Sequence, residues 1–305
     1  MRELINKEAL VTQRVARELC SVAIGDRIPT VSALQETCDA SRGNVQKALA
    51  NLKEAGAVEL ESHGQSGTTL IAVDFLKLAQ ECGLQHLVGS MPLPYTTRYE
   101  GLATALYTQL NVDDIRSYII FQRGSEARLQ MLLDGTVNYC VMSRLAFNEF
   151  DHCGFDVTCV MDFGPNSYVS RHILLTRDQE RMDWTGAKVG IDHSSVDQSV
   201  LTERFFQNFE VEFVPVQYIH IIERLRSGDL DVGIWNEDDV HIQSSSEIYV
   251  RDLNGLNEGE DDNHAVIVAR ASDKLTSRLI QSLISVESIR ETQARVMSGE
   301  IPACY

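Results

Sequence analysis

Two groups of residues have types and spacings that could do chemistry. The first is Ser41-Arg42-Gly43-Asn44 with Gln46 and Lys47. This mix of small, amide-bearing and cationic side chains suits a nucleic-acid groove. An amide can make two hydrogen bonds to adenine's edge, and cations displace counterions from phosphates. His63 and Gln65 in "HGQSG" could join it from a neighbouring loop. The second group is spread along the chain, always just after an apolar, strand-like run. It comprises Ser90 and Tyr95 ("VGSMPLPYTT"), Gln122 and Ser125 ("FQRGS"), and Ser143 and Arg144 ("VMSRL"). Further on come Asp192, Ser194 and Ser195 ("VGIDHSSVDQ"), Gln217 and Tyr218 ("VQYIH"), and Trp235 and Asn236 ("GIWNE"). Polar residues at the carboxyl ends of strands, next to helix N-termini, are placed to hold a small molecule.

The elements that would position the first group are local and readable. Thr30 can cap a short helix from Val31. A tight turn at Asp39-Ala40 follows, and Ser41 caps the next helix. Val45, Ala48, Leu49 and Leu52 fall on one face at i, i+3, i+4 and i+7, which leaves Gly43, Gln46, Lys47 and Ala50 opposite. Gly56 ends this helix. "VELES" and "TTLIAV" then read as a hairpin about "HGQSG". Helix, turn, helix and two-stranded wing make a winged helix-turn-helix, whose second helix enters the major groove. "DFLKLAQECG" (Asp74–Gly83) reads as a linking helix.

Beyond it strands and helices alternate, as in an α/β domain. Two stretches 93 residues apart echo each other: "LLDGTVNYCVMS" (Leu132–Ser143) and "LRSGDLDVGIWN" (Leu225–Asn236). In each, a helix ends at glycine (Gly135, Gly228). A buried-type residue (Val137, Leu230) comes next, then Asn138 or Asp231, then a strand.

The N-terminal stretch resembles the GntR-type winged helix. The matching residues are Gly25, Arg27, Ile28, Pro29, Thr30 and Leu34, then Ser41, Arg42, Val45, Ala48, Leu49, Leu52, Gly56 and Val58. Ser32 and Gln46 stand where that family usually carries arginines, which implies weaker binding and a shallower salt dependence. The remainder resembles type 2 periplasmic-binding-protein-like domains, in which two α/β lobes face each other across a cleft. The combination resembles the YhfZ-like transcriptional regulators. The resemblance implies an α/β protein with a winged helix at residues 1–73, a linker helix at 74–83, and a two-lobed ligand-binding domain at 84–305. Lobe one would be 84–165 plus 271–305 and lobe two about 176–263, with the chain crossing through "YVSRHILLTR" and "HAVIVAR".

Composition agrees with this division. The chain has 305 residues, is 44% hydrophobic and carries a net charge of −17. Residues 1–73 hold eight basic and nine acidic residues; the rest hold 19 and 35. A nearly neutral module precedes an acidic body, and general affinity for nucleic acid is excluded for the body. The N-terminus lacks the apolar core of a signal peptide, and no run of 18 apolar residues occurs, so a cytoplasmic protein without membrane association is expected. Seven scattered cysteines without a CxxC read as reduced thiols. Asp151, His152, Cys153 and Cys159 lie close in sequence, but no second ligand pair has metal spacing. "NEGEDDNH" (Asn257–His264) reads as a solvated turn, and His193, His220 and His241 are isolated. No GxSxG, P-loop, HExxH or GxGxxG motif is present. No cofactor or metal is expected. The reading is a homodimeric transcriptional regulator that binds a double-stranded DNA operator and senses a small polar, anionic effector. An enzyme built on the two-lobed body, with the N-terminal module for docking, is the alternative. A solute-binding protein is disfavoured by the fused winged helix.

Overall fold

The computed structural model describes residues 7–112, 115–238, 248–253 and 261–305. His241 and the start of the Asn257–His264 run lie outside them. The chain divides into two compact units. One comprises 1–87 with 110–117 and 271–284; the other comprises 88–109, 118–270 and 285–305.

In the first unit, α1 (Lys7–Leu19), α2 (Val31–Thr37) and α3 (Arg42–Glu54) precede a hairpin of β1 (Val58–Ser62) and β2 (Thr68–Val73). The caps are those expected: Thr30 Oγ1 accepts from the Ala33 N–H and Ser41 Oγ from the Asn44 N–H. Asp39 sits at φ 48°, a left-handed position that Asp tolerates, and so makes the turn between α2 and α3. Val45, Ala48 and Leu52 are buried, together with Val11, Val15, Ala16 and Leu19 of α1. The sequence reading does not single out α1. The segment 25–28 adds to the wing through Ile28 N–H to Thr68 O (2.9 Å) and Gly25 N–H to Leu70 O (2.8 Å). The helix α4 (Phe75–Glu81), capped by Asp74, packs against α10 (Lys274–Leu283) and α1.

The second unit is built on two five-stranded sheets of matching order. The first runs β4 (Arg116–Phe121), β3 (His86–Met91), β5 (Tyr139–Ser143), β12 (Ala265–Ala269), β6 (Thr158–Asp162). The second runs β9 (Glu212–Pro215), β8 (Lys188–Ile191), β10 (Val232–Asn236), β7 (His172–Thr176), β11 (Tyr249–Arg251). β3 is parallel to β5, and β8 to β10; β12 and β7 run antiparallel to those central strands. The central strands are buried along their whole length, which explains their continuous apolar runs. The helix α5 (Thr97–Leu110) joins β3 to β4, and α6 (Ser125–Leu133) and α7 (Arg144–His152) cover the first sheet through Leu129, Leu132, Ala146 and Phe150. α8 (Val196–Phe206) and α9 (Ile221–Ser227) cover the second through Leu201, Phe206, Ile221 and Leu225.

The internal echo has a physical cause. Gly135 (φ 81°) and Gly228 (φ 84°) each take the left-handed conformation that ends a helix. The next buried residue, Val137 or Leu230, sends its N–H back to that helix. Then Asn138 Oδ1 accepts from the Val88 N–H (2.8 Å), and Asp231 Oδ2 from the Lys188 N–H (2.9 Å). Each side chain thus pins the start of the neighbouring parallel strand, which fixes register where β3 meets β5 and β8 meets β10.

Candidate functional site

In the first unit, α3 presents Arg42, Gly43, Gln46, Lys47 and Ala50 to solvent; Asn44 is half-buried. Ser41 is engaged as the cap. His63 and Gln65 are exposed at the wing tip. Two features escaped the sequence reading. Lys47 Nζ lies 2.7 Å from Glu8 Oε2, so α1 holds one of the two cations on this face. The hydrogen bond from Lys47, then that from Asn51, lowers the Glu8 pKa. Arg27, exposed, pairs with Thr69 beside the wing and adds a cation there. A groove between α3 and the wing is lined by Thr30, Ser32, Arg42, Gln46, Lys53 and Ser62, among others.

In the second unit, a cavity of about 70 Å³ lies at the carboxyl ends of strands from both sheets. Six residues of the expected set line it: Tyr95, Ser125, Asp192, Ser195, Tyr218 and Asn236. Four more stand directly behind. Ser143 Oγ donates to Asp197, Ser194 Oγ donates to Asp192 (2.6 Å), the Gln122 carbonyl accepts from Arg128 (2.9 Å), and Trp235 stacks on Tyr218 at 4.1 Å. Gln217 reaches Arg123 only at 3.5 Å. Ser90 is buried in β3 and does not line the cavity. Nor does Arg144. Its guanidinium is held by Asp162 (Nη2–Oδ2 2.5 Å), an ion pair made by a non-local partner that the sequence pattern did not reveal. Burial opposes charge on both groups, but their bond raises the Arg144 pKa and lowers that of Asp162.

The arginine of the cavity is Arg128, 3% exposed. It donates from Nε to Val141 O (3.0 Å), from Nη1 to Gln122 O, and from Nη2 to Tyr168 Oη (3.3 Å). All three acceptors are neutral, and no carboxylate lies at ion-pair distance among the described residues. Arg123 lines the cavity too. So does Asp197, 7% exposed, whose Oδ1 accepts from Ser143. Burial pushes its pKa up to about 6, against the charge of His172 and the Ser143 bond. His172 pairs through Nδ1 with Asp262 Oδ2 (2.5 Å); burial disfavours its charge, but Asp262 prevails and its pKa is raised. Arg128, Asp197 and His172 were all missed. The signal for Arg128 was present: it sits on the apolar stripe Ser125, Arg128, Leu129, Leu132 at i, i+3, i+4 and i+7.

Neither Ser125 nor Ser195 caps the helix beside it. Ser125 is the first residue of α6, whose cap position is Gly124 at φ 79°; its Oγ instead accepts from the Val196 N–H at the start of α8 (3.3 Å). Ser195 stands at the cap of α8 but makes no capping bond, and Gln198 bonds Asp192 N–H (2.7 Å) and Gly190 O (3.0 Å) rather than closing a capping box. Asp192 is a loop staple: Oδ1 accepts from the Ser194 N–H and hydroxyl, Oδ2 from the Tyr218 N–H (2.7 Å). Asn236 Oδ1 accepts from the Asp238 N–H, while its buried Nδ2 has no partner among the described residues.

Known proteins share both the sequence and the fold of this chain. Residues 74–305 match the YhfZ C-terminal domain, and residues 23–70 match a helix-turn-helix domain. The chain belongs to the YhfZ family. It is 32% identical to the uncharacterized protein YhfZ of Escherichia coli (strain K12), covering 100% of this chain and 99% of that one. The crystal structure of YhfZ from Shigella flexneri is similar at a TM-score of 0.62 and 31% identity, over 73% of this chain and 94% of that one. The same fold recurs at 14% identity and TM-score 0.53 in the periplasmic aliphatic sulphonate binding protein SsuA of Escherichia coli, over 71% of this chain and 75% of that one. An ancestral arginine-binding protein matches at 12% identity and TM-score 0.53, over 70% and 97%. This YhfZ-family chain thus joins a helix-turn-helix domain to an α/β domain of periplasmic-binding-protein fold. Among its described residues no helix is long and apolar enough to cross a membrane.

Proposed function

We propose that this YhfZ-family protein is a DNA-binding transcriptional regulator whose two-lobed domain senses a small polar molecule bearing an anionic group. The observation that carries the DNA part is the front of α3, exposed from Arg42 to Ala50 on the face opposite its buried stripe, with an exposed wing tip on the same module. Helices of this kind place their N-terminal side chains against base edges. The effector part is supported by the buried Arg128, which has no acidic partner among the described residues, and by the N-terminus of α6 beside it, which has no side-chain cap, since both favour negative charge. The expected winged-helix limit at residue 73 and the ligand domain from 84 onward belong to this proposal.

Each module offers few cations, so two copies acting together bind far better than one. We therefore include a homodimer, with half-sites about one DNA turn apart (~34 Å). Coupling to the effector runs through the chain itself, which passes between the two compact units five times, at 87/88, 109/110, 117/118, 270/271 and 284/285. A change in lobe geometry is delivered to the first unit at each of these points. The test is selection of genomic fragments at low salt with the full-length protein, together with light scattering with and without the recovered DNA. A fragment enriched over background and bound by a dimer is the expected result. Gln46→Ala is expected to blur preference at one base pair. No enrichment removes the regulator reading, and a monomer on DNA removes the dimer.

A further inference from the structure

The cavity lining brings together a cation, Arg128, and an anion, Asp197, neither of which has an ion-pair partner among the described residues. Arg128 spends its hydrogen bonds on two carbonyls and a phenol and keeps its charge uncompensated by any hydrogen-bonded carboxylate. Asp197 receives one hydroxyl bond, from Ser143, and no hydrogen bond to its second oxygen is present among the described residues. The other charged groups of the lining are already committed. Asp192 is saturated by three donors, and His172 is paired with Asp262. Asn236 Nδ2, on a residue 2% exposed, is a further donor without a partner among the described residues. Buried charges are retained where a partner of opposite sign meets them, and buried donors where an acceptor does. A simple anion would satisfy Arg128 and Asn236 but would face Asp197. A simple cation would have the reverse difficulty.

We infer that the ligand is a compact zwitterion, with a carboxylate or phosphonate on Arg128 and an ammonium group on Asp197. This rests on the ligand-binding reading of the cavity and narrows it. Size sets the second limit. The cavity measures about 70 Å³. A dry cavity of about 150 Å³ accepts benzene, so on that scale only a few non-hydrogen atoms fit here. The two charges of the ligand are then separated by one or two atoms. Tyr218, held flat against Trp235, closes one wall and leaves little room for a side chain.

The experiment is isothermal titration calorimetry of the full-length protein with free glycine, β-alanine and aminomethylphosphonate, set against acetate, propionate and ethylamine. At least one zwitterion is expected to bind about 30-fold or more tighter than each one-ended relative, the loss on removing one partner of a buried charge pair. Asp197→Asn, which keeps the acceptor for Ser143, is expected to lower zwitterion affinity by about 30-fold and to leave acetate bound as tightly as in the parent or more tightly, because the opposing carboxylate is gone. Its melting curve at neutral pH checks that it folds. If acetate or propionate binds as tightly as the zwitterions, or if Asp197→Asn leaves the zwitterion's affinity unchanged, the inference falls while an anion-sensing cavity stands. If no probe of either kind binds, the inference falls too. Operator binding, measured on the same preparation, decides the regulator reading separately.

Discussion

On the face of α3 proposed to meet DNA, Glu8 holds Lys47 back, and Glu8→Gln tests this directly. Lys47 and Arg42 are the exposed cations in the first two turns of α3, and Lys47 is held at 2.7 Å by Glu8 Oε2 with its side chain still 59% exposed. To reach a phosphate, Lys47 must leave a carboxylate that its own hydrogen bond and that of Asn51 keep ionised. The substitution removes the competing charge and retains an acceptor for Asn51. One added phosphate contact steepens the dependence of log affinity on log salt by about 0.9 per subunit, and by about 1.8 for a dimer. Between about 50 and 200 mM salt, a roughly fourfold range, the variant therefore loses about 12-fold more affinity than the parent as a dimer, or about 3.5-fold more as a monomer. Fluorescence anisotropy with a mixed-sequence duplex reads this, because the effect is electrostatic and independent of sequence. The variant is expected to bind more tightly at low salt. Lys47→Ala should erase the difference when combined with Glu8→Gln. Parallel salt lines for parent and variant, or a double variant that behaves like Glu8→Gln alone, would refute the restraint.

Two other outcomes follow from side chains in the second unit. The Asp197 pKa stands at about 6 in the fold against an ordinary 3.8, so the folded state binds more protons than the unfolded one between those values and stability falls as pH rises through them. Asp197→Asn escapes this loss. It should be stabilised relative to the parent by up to about 3 kcal/mol at pH ~8 and not at pH ~4, and an equal difference by urea unfolding at both pH values would count against it. Asn138→Ala strips the Val88 N–H, which is partly buried, of its side-chain partner and should cost about 1–3 kcal/mol. Asp231→Ala frees the more exposed Lys188 N–H and should cost less; Asn138→Asp, which copies the other sheet's anchor, should be tolerated in thermal melts.

Local determinants were legible in the sequence and non-local ones were not. The winged helix was readable because Thr30 and Ser41 cap within three residues, Asp39 and Gly56 take left-handed turns, and the buried stripe of α3 has the helical period. The echo of Gly135 and Gly228 was readable for the same reason, although its purpose became visible only when Asn138 and Asp231 were found on the N–H groups of neighbouring strands. The cavity was half-readable. Strand ends located Asp192, Tyr218 and Asn236, because topology alone puts them there.

Which arginine lines the cavity was decided by non-local partners. Arg144 and Arg128 are both near strand β5, and only non-local partners separate them: Asp162 neutralises one, while carbonyls and a phenol hold the other. An arginine that follows a strand end is an ordinary surface residue unless its carboxylate is known to be absent. One that interrupts the apolar stripe of a covering helix is different. Burying a guanidinium costs several kcal/mol unless something meets it, and nothing acidic within the described fold bonds Arg128. Asp197 makes the same case from α8, where it lies among Val196, Gln198, Leu201 and Thr202 on the buried face. Beside the polar residues at strand ends, the second pointer to the cavity is therefore the charged residue written into an apolar helical stripe: Arg128 on α6 and Asp197 on α8 both line it.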